Sequence, residues 1–266
     1  MQNFQFRLVP EQIGSRKLIS KMSNNFFQFK KFKIHQSCCA MKVTTDACLF
    51  GAWATDRIQQ STIENKYCLD IGTGTGLLSL MMAQKTPELN IEAIEIDEAA
   101  SEQAASNFIN SPWSKNLLSV HSNIVSYTFP QQYDAIISNP PFYENELNAT
   151  DNKKNIAHHS QELNLADLFA IIQFNLKSSG SFFLLLPFKR QAEIQPLLLQ
   201  NNLKITHTTL VRQSTQHNYF RIMLEGTFVS NCYLTEATIA EISICDDTKQ
   251  YTKEFISLLK DYYLNL

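Results

Sequence analysis

Asn139-Pro140-Pro141-Phe142 follows a short apolar run, Tyr133–Ser138. An amino group on an aromatic ring is a weak nucleophile because its lone pair is delocalised. Two acceptors held at its hydrogens favour the pyramidal geometry and the positive charge that develop as it attacks an electrophile. The side-chain oxygen of Asn139 and the carbonyl of Pro140 suit those two places. Proline fixes φ, lacks an N–H and holds the residue before it extended, so the doublet presents acceptors stiffly. Phe142 can stack on a flat substrate, a contact worth roughly 1–3 kcal/mol per base. An Asn-Pro-Pro run is also an ordinary turn sequence. A second motif lifts the chemical reading above that one.

The second motif is the turn Asp70-Ile71-Gly72-Thr73-Gly74-Thr75-Gly76. Gly72, Gly74 and Gly76 allow close backbone approach and positive φ. The spacing differs from the G-x-G-x-x-G of dinucleotide sites, and Asp70 is a poor neighbour for a pyrophosphate. A carboxylate there suits the ammonium of a methionine moiety. Glu95 closes the next predicted strand, where its two oxygens can accept both hydroxyls of a ribose. Asp97 reads as a helix cap. Asn123 follows the third strand and either reads the amino group of the cofactor's adenine or is a solvated loop residue. Turn and corner together argue for methyl transfer from S-adenosylmethionine to a planar nitrogen, with S-adenosylhomocysteine as product.

These residues need strands that end side by side. The pattern predicts strands over 66–71, 91–96, 117–121, 133–138 and 180–187, with helices over 76–85, 97–110, 165–176 and 191–201. A hairpin over 203–212 and 217–228 and a helix over 252–262 close the chain. Upstream, 26–34 alternates aromatic and basic residues as a β-ribbon would, and Thr45-Asp46 caps a helix over 47–57. This predicts an α/β fold. It has a Rossmann-like seven-strand mixed sheet, mostly parallel with an antiparallel terminal hairpin, and helices on both faces. Ligands of such sheets bind beyond the carboxyl ends of the strands, where both motifs fall. Residues 26–266 read as a single domain with a short N-terminal ribbon and helix, and residues 1–25 as a flexible basic extension that starts at Met1 or at Met22.

The apolar fraction of 44% is enough for a sizeable core, and no apolar run is long enough to span a bilayer. None of Cys38, Cys39, Cys48, Cys68, Cys232 and Cys245 sits in a C-x-x-C pair. Reduced thiols in a cytoplasmic protein, with no metal, are therefore expected. Net charge is −2, yet residues 1–43 hold eight basic residues against Glu11 alone. That imbalance suggests an arm that meets a polyanion. Residues 143–162 are polar and read as a mobile loop.

The chain resembles the bacterial tRNA1(Val) (adenine-N6)-methyltransferases, within the class I S-adenosylmethionine-dependent enzymes that carry an Asn-Pro-Pro-Tyr/Phe corner. The likeness is carried by Phe29-Lys30-Lys31-Phe32, by Cys39–Val43 with Thr45-Asp46, and by Gly51-Ala52-Trp53-Ala54. It continues through Leu69–Leu80, Ser111-Pro112-Trp113, Ile136–Phe142, Tyr251-Thr252 and Tyr262-Tyr263. It thus covers about residues 26–266. The resemblance implies methylation of the N6 of the adenine just 3′ of a tRNA anticodon, with the anticodon loop as partner. It implies that Lys42, Thr45 and Asp46 cover the cofactor. Where Asn123 stands, that family tends to have Asp. The basic-aromatic arm fits RNA, its lysines meeting phosphates and its aromatics stacking on bases; the alternative is an aromatic-packed ribbon with solvated lysines.

The nearest rivals are N5-methylation of a protein glutamine, whose amide is equally flat, and methylation of guanine N2 in ribosomal RNA. Glutamine-modifying enzymes usually carry a large helical N-terminal domain that is missing here. A non-catalytic RNA-binding scaffold is set against by the intact Asp70, Glu95 and Asn139. A nicotinamide dehydrogenase is set against by Asp70.

Overall fold

The computed structural model describes residues 25–60, 66–140, 163–231 and 237–266. The basic extension up to residue 24, Pro141, Phe142, the loop 143–162 and Cys232 lie outside them. The ribbon is β1 (Phe26–Gln28) against β2 (Lys33–His35). The main sheet contains β3 (Tyr67–Ile71), β4 (Asn90–Glu95), β5 (Leu117–His121), β6 (Tyr133–Ser138) and β7 (Leu176–Pro187). The hairpin β8 (Leu203–Arg212) and β9 (Tyr219–Phe228) and a last strand β10 (Thr238–Ser243) complete it. The order is β10-β8-β9-β7-β6-β3-β4-β5, and β9 runs against the others.

The seven expected strands are all present, and β10 adds an eighth along the outer edge. It went unread because Thr238-Ile239-Ala240-Glu241 is exposed and only Ile242 reaches the core. A short edge strand with Glu241 on its rim carries little hydrophobic signal. β3 and β6 instead read as continuous apolar runs because helices cover both their faces. Helix α1 (Thr45–Gln60), α2 (Leu77–Lys85), α3 (Glu98–Ile109) and α6 (Lys253–Leu259) pack on one face. Helices α4 (Leu165–Asn175) and α5 (Gln191–Gln200) pack on the other. In α1, Gly51 lies so close to α2 that a Cβ would come within 2.7 Å of the Met81 sulfur.

Three of the boundaries that differ from expectation bear on the site and its sheet. Helix α1 begins at Thr45, and the cap is Thr44, whose hydroxyl accepts the Ala47 N–H. Asp46 is thereby free to face another element. β7 starts at Leu176 rather than Gly180, because α4 runs straight into it. A register shift opposite Tyr133–Ala135 absorbs the extra residues. β4 stops at Glu95, which leaves Ile96 outside the ladder.

The ribbon's aromatics face inward. Phe29 is 0% exposed and stacks on Phe32, which meets Trp113 edge-on, while Phe27 packs on Tyr263. The packed-ribbon alternative describes these rings. Phe26 stays exposed, with the Lys33 ammonium 4.7 Å from its centre.

Candidate active site

Register brings the two motifs together. Ile71 pairs with Ser138 across β3 and β6, and the Ser138 hydroxyl donates to the Ile71 carbonyl at 2.8 Å. Gly72 and Asn139 therefore leave adjacent strands at one level. Asn139 is half-buried and Pro140 buried. Ile71 also pairs with Ile94, so Glu95 stands on the other side of the turn.

The turn is built by three glycines in the left-handed region, Gly72 (φ 71°), Gly74 (φ 56°) and Gly76 (φ 79°). They serve two ends. A Cβ on Gly72 or Gly74 would meet nothing within 4 Å, so both face open space. A Cβ on Gly76 would lie 2.5 Å from the Phe108 ring, so Gly76 exists to seat α2 against α3. Gly76 therefore holds the turn's shape, whereas Gly72 and Gly74 leave room beside it.

Asp70 is fully buried. Its Oδ2 accepts hydroxyl hydrogens from Thr73 and Ser79, each at 2.7 Å, while Oδ1 has no partner. Burial pushes the carboxyl up to about 6, against the pull of those hydroxyls. A buried oxygen without a donor is costly. A cationic donor, or a water anchored by one, would satisfy Oδ1 and draw the carboxyl back down. The residues therefore fit a methionine ammonium.

Glu95 is oriented by backbone donors. Its Oε2 accepts from Gly74 N–H at 2.8 Å and its Oε1 from Asp97 N–H at 3.0 Å. Each oxygen keeps a lone pair for a ribose hydroxyl. Asp97 caps α3 through the Ala100 N–H at 2.8 Å, as expected. Asn123 is half-buried, and its oxygen accepts the Val125 N–H at 3.0 Å, which makes it a turn-former first. The loop it heads is anchored lower down by the Tyr127 hydroxyl, which donates to buried Glu92.

Lys42 is exposed just before α1. The Thr45 hydroxyl reaches Tyr263 near the chain end. Asp46 forms an ion pair with Arg221 of β9 at 2.7 Å. The site thus gathers Asp70, Gly72, Gly74, Glu95 and Asn139 at the carboxyl edge, with Asp46 bound to its far side. Sequence reading missed Arg221 and Ile96. Ile96 is 47% exposed beside Glu95, an apolar side chain at the open carboxyl edge. Its signal was an apolar residue just past a strand's carboxyl end. Arg221 had none, because its partner lies 175 residues away.

Residues 50–186 match the family model "Methyltransferase small domain". Among solved structures, a predicted O-methyltransferase of Agrobacterium tumefaciens superposes with a TM-score of 0.60 at 15% identity, covering 82% of this chain and 99% of that one. A glycopeptide N-methyltransferase complexed with S-adenosyl-L-methionine gives a TM-score of 0.50 at 9% identity, over 67% of this chain and 87% of that one. These two show the class I methyltransferase fold. The tRNA1(Val) (adenine(37)-N6)-methyltransferase of Bacteroides thetaiotaomicron is 34% identical over 92% of this chain and 100% of its own length. That of Dyadobacter fermentans is 36% identical over 91% and 98%. A full-length match at this identity, on a sheet that sets a glycine turn beside an Asn-Pro corner, shows that the chain belongs to the tRNA1(Val) (adenine(37)-N6)-methyltransferase family.

Proposed function

We propose that this protein methylates the N6 of adenine 37, just 3′ of the anticodon, in tRNA1(Val). The observation that carries the reading is the juxtaposition of Asn139 with the glycine turn on paired strands, beside the unpartnered oxygen of Asp70. S-adenosylmethionine bound at this edge supplies an electrophilic methyl group on a sulfonium. Asp70 binds the ammonium, Gly72 and Gly74 admit the chain beside the turn, and Glu95 takes the ribose hydroxyls. Ile96 lies against the adenine ring and Asn123 shapes the loop at its edge. Lys42, Thr45 and Asp46 lie over the bound molecule.

The Asn139 side-chain oxygen and the Pro140 carbonyl accept the two hydrogens of the target amine. They stabilise the charge that develops as the nitrogen leaves the ring plane. The motif assigns stacking on the target base to Phe142 and stiffening of the segment to Pro141, both outside the described residues. The proton leaves after transfer, so these residues need no general base. An unpaired anticodon-loop base is taken from its stack at lower cost than one in a duplex. Incubation of the protein with S-adenosylmethionine and unmodified tRNA1(Val), followed by mass spectrometry of the nucleosides, tests the reading. One N6-methyladenosine per tRNA, mapped to position 37, is expected; unmodified product, or methylation elsewhere, overturns it.

A further inference from the structure

Asn107 of α3 is 1% exposed and belongs to none of the motifs. Its amide holds two segments at once. Oδ1 accepts the His35 N–H at 2.9 Å, and Nδ2 donates to the His35 carbonyl at 2.9 Å. The same Nδ2 donates to the Thr75 carbonyl, inside the glycine turn, at 2.9 Å. His35 ends β2, and the chain beyond it loops back to α1. Buried Gln36 closes that loop, its Oε1 accepting the Val43 N–H at 2.9 Å. Ser37 donates to Gln103 of α3 at 3.3 Å. Glu95 and Asp97 add to the burial that pushes the Cys39 thiol up to about 11, so the loop lies within electrostatic reach of the Glu95 carboxylate.

Resting on the proposed cofactor site, we infer that Asn107 is a positioning residue that locks the glycine turn and the 36–43 loop into one register and so sets cofactor affinity from beneath the site. A buried primary amide suits this task. One planar group satisfies both backbone atoms of His35 and spends its second N–H on the turn. No aliphatic or hydroxyl side chain can replace all three bonds. Gln36 acts at the other end of the same loop, so the two residues work as a unit.

The test is calorimetric titration of the full chain with S-adenosylhomocysteine, together with kinetics on tRNA. Asn107→Asp keeps the acceptor and loses both donations; Gln36→Ala opens the loop. Each is expected to weaken S-adenosylhomocysteine roughly tenfold or more, about the loss of one or two buried hydrogen bonds. KM for S-adenosylmethionine should rise in step, while kcat at saturation and KM for tRNA stay within about twofold. The double variant should lose less than the two single losses combined. Thr227→Val removes a buried hydroxyl that donates to Gly180 far along the sheet, and controls for lowered stability alone. Unchanged affinity in a folded Asn107→Asp or Gln36→Ala protein overturns the inference, as does equal weakening in Thr227→Val. If Asn107→Asp does not fold, Gln36→Ala decides alone. A wild-type chain that binds no S-adenosylhomocysteine overturns the cofactor site itself, and this inference with it.

Discussion

At the scale of single residues, the proposed function assigns binding to Asp70 and chemistry to Asn139. Asp70 is held near 6 by burial, above its ordinary 3.8. In the cofactor-free protein it adds stability that is full below its ordinary value and lost as pH rises through about 6. A bound ammonium needs the ionised form. S-adenosylhomocysteine affinity should therefore climb with pH up to about 6, by at most tenfold per unit, and then level off. Asp70→Asn should bind more weakly and erase that climb; a slope retained in the variant would assign the titration to another group. Asn139→Ala should lower kcat by roughly 10²–10³ and leave S-adenosylhomocysteine affinity intact. Single-turnover rates near wild type would remove Asn139 from the reaction.

At the scale of elements, the glycine turn is two devices in one peptide. Gly76→Ala forces a Cβ onto Phe108 at a left-handed φ and should cost about 1–3 kcal/mol of stability in urea unfolding. Gly74→Ala suffers the backbone strain but meets no protein atom, so its side chain enters the open space where the proposed cofactor would lie. It should keep more stability than Gly76→Ala and lose more S-adenosylhomocysteine affinity. The opposite ranking would show that the turn binds as a plain loop. The turn's position was readable from Asp70 to Gly76. The division of labour was not, since it depends on the ring of Phe108, which arrives from the next helix.

At the scale of the whole molecule, the two ends of the described chain meet. The Lys30 N–H donates to the Tyr262 carbonyl at 2.8 Å, and the Tyr262 hydroxyl donates to the Met81 carbonyl at 3.1 Å. Lys85 pairs with Asp261, and Gln84 donates to the Asp261 carbonyl at 2.9 Å. Tyr262→Ala should therefore cost about 3–5 kcal/mol, the scale of deleting a buried aromatic ring. A loss below about 1 kcal/mol, within the range of surface changes, would show that the terminal clasp is dispensable. The ribbon that this clasp holds keeps its lysines outward although Phe29 and Phe32 are buried. Lys31→Ala with Lys33→Ala should weaken tRNA binding and flatten its salt dependence by roughly 0.7–0.9 for each phosphate left without its lysine. An unchanged slope would take the ribbon out of the RNA interface.

The sequence by itself determined the order of the helices and of every strand but β10, the glycine turn, the place of Asn139-Pro140 at a strand's end and the cap at Asp97. Each is a local pattern in which a few adjacent residues dictate backbone shape, so neighbours along the chain carry the whole signal. Only the tertiary structure decided that Asn139 stands beside Gly72, that Gly76 serves Phe108, that Arg221 holds Asp46 and that Asn107 joins the turn to the ribbon. Those relations depend on strand register and on partners far apart in the chain. Burial then sets their electrostatics, as with the raised carboxyl of Asp70, and burial is a property of the folded whole.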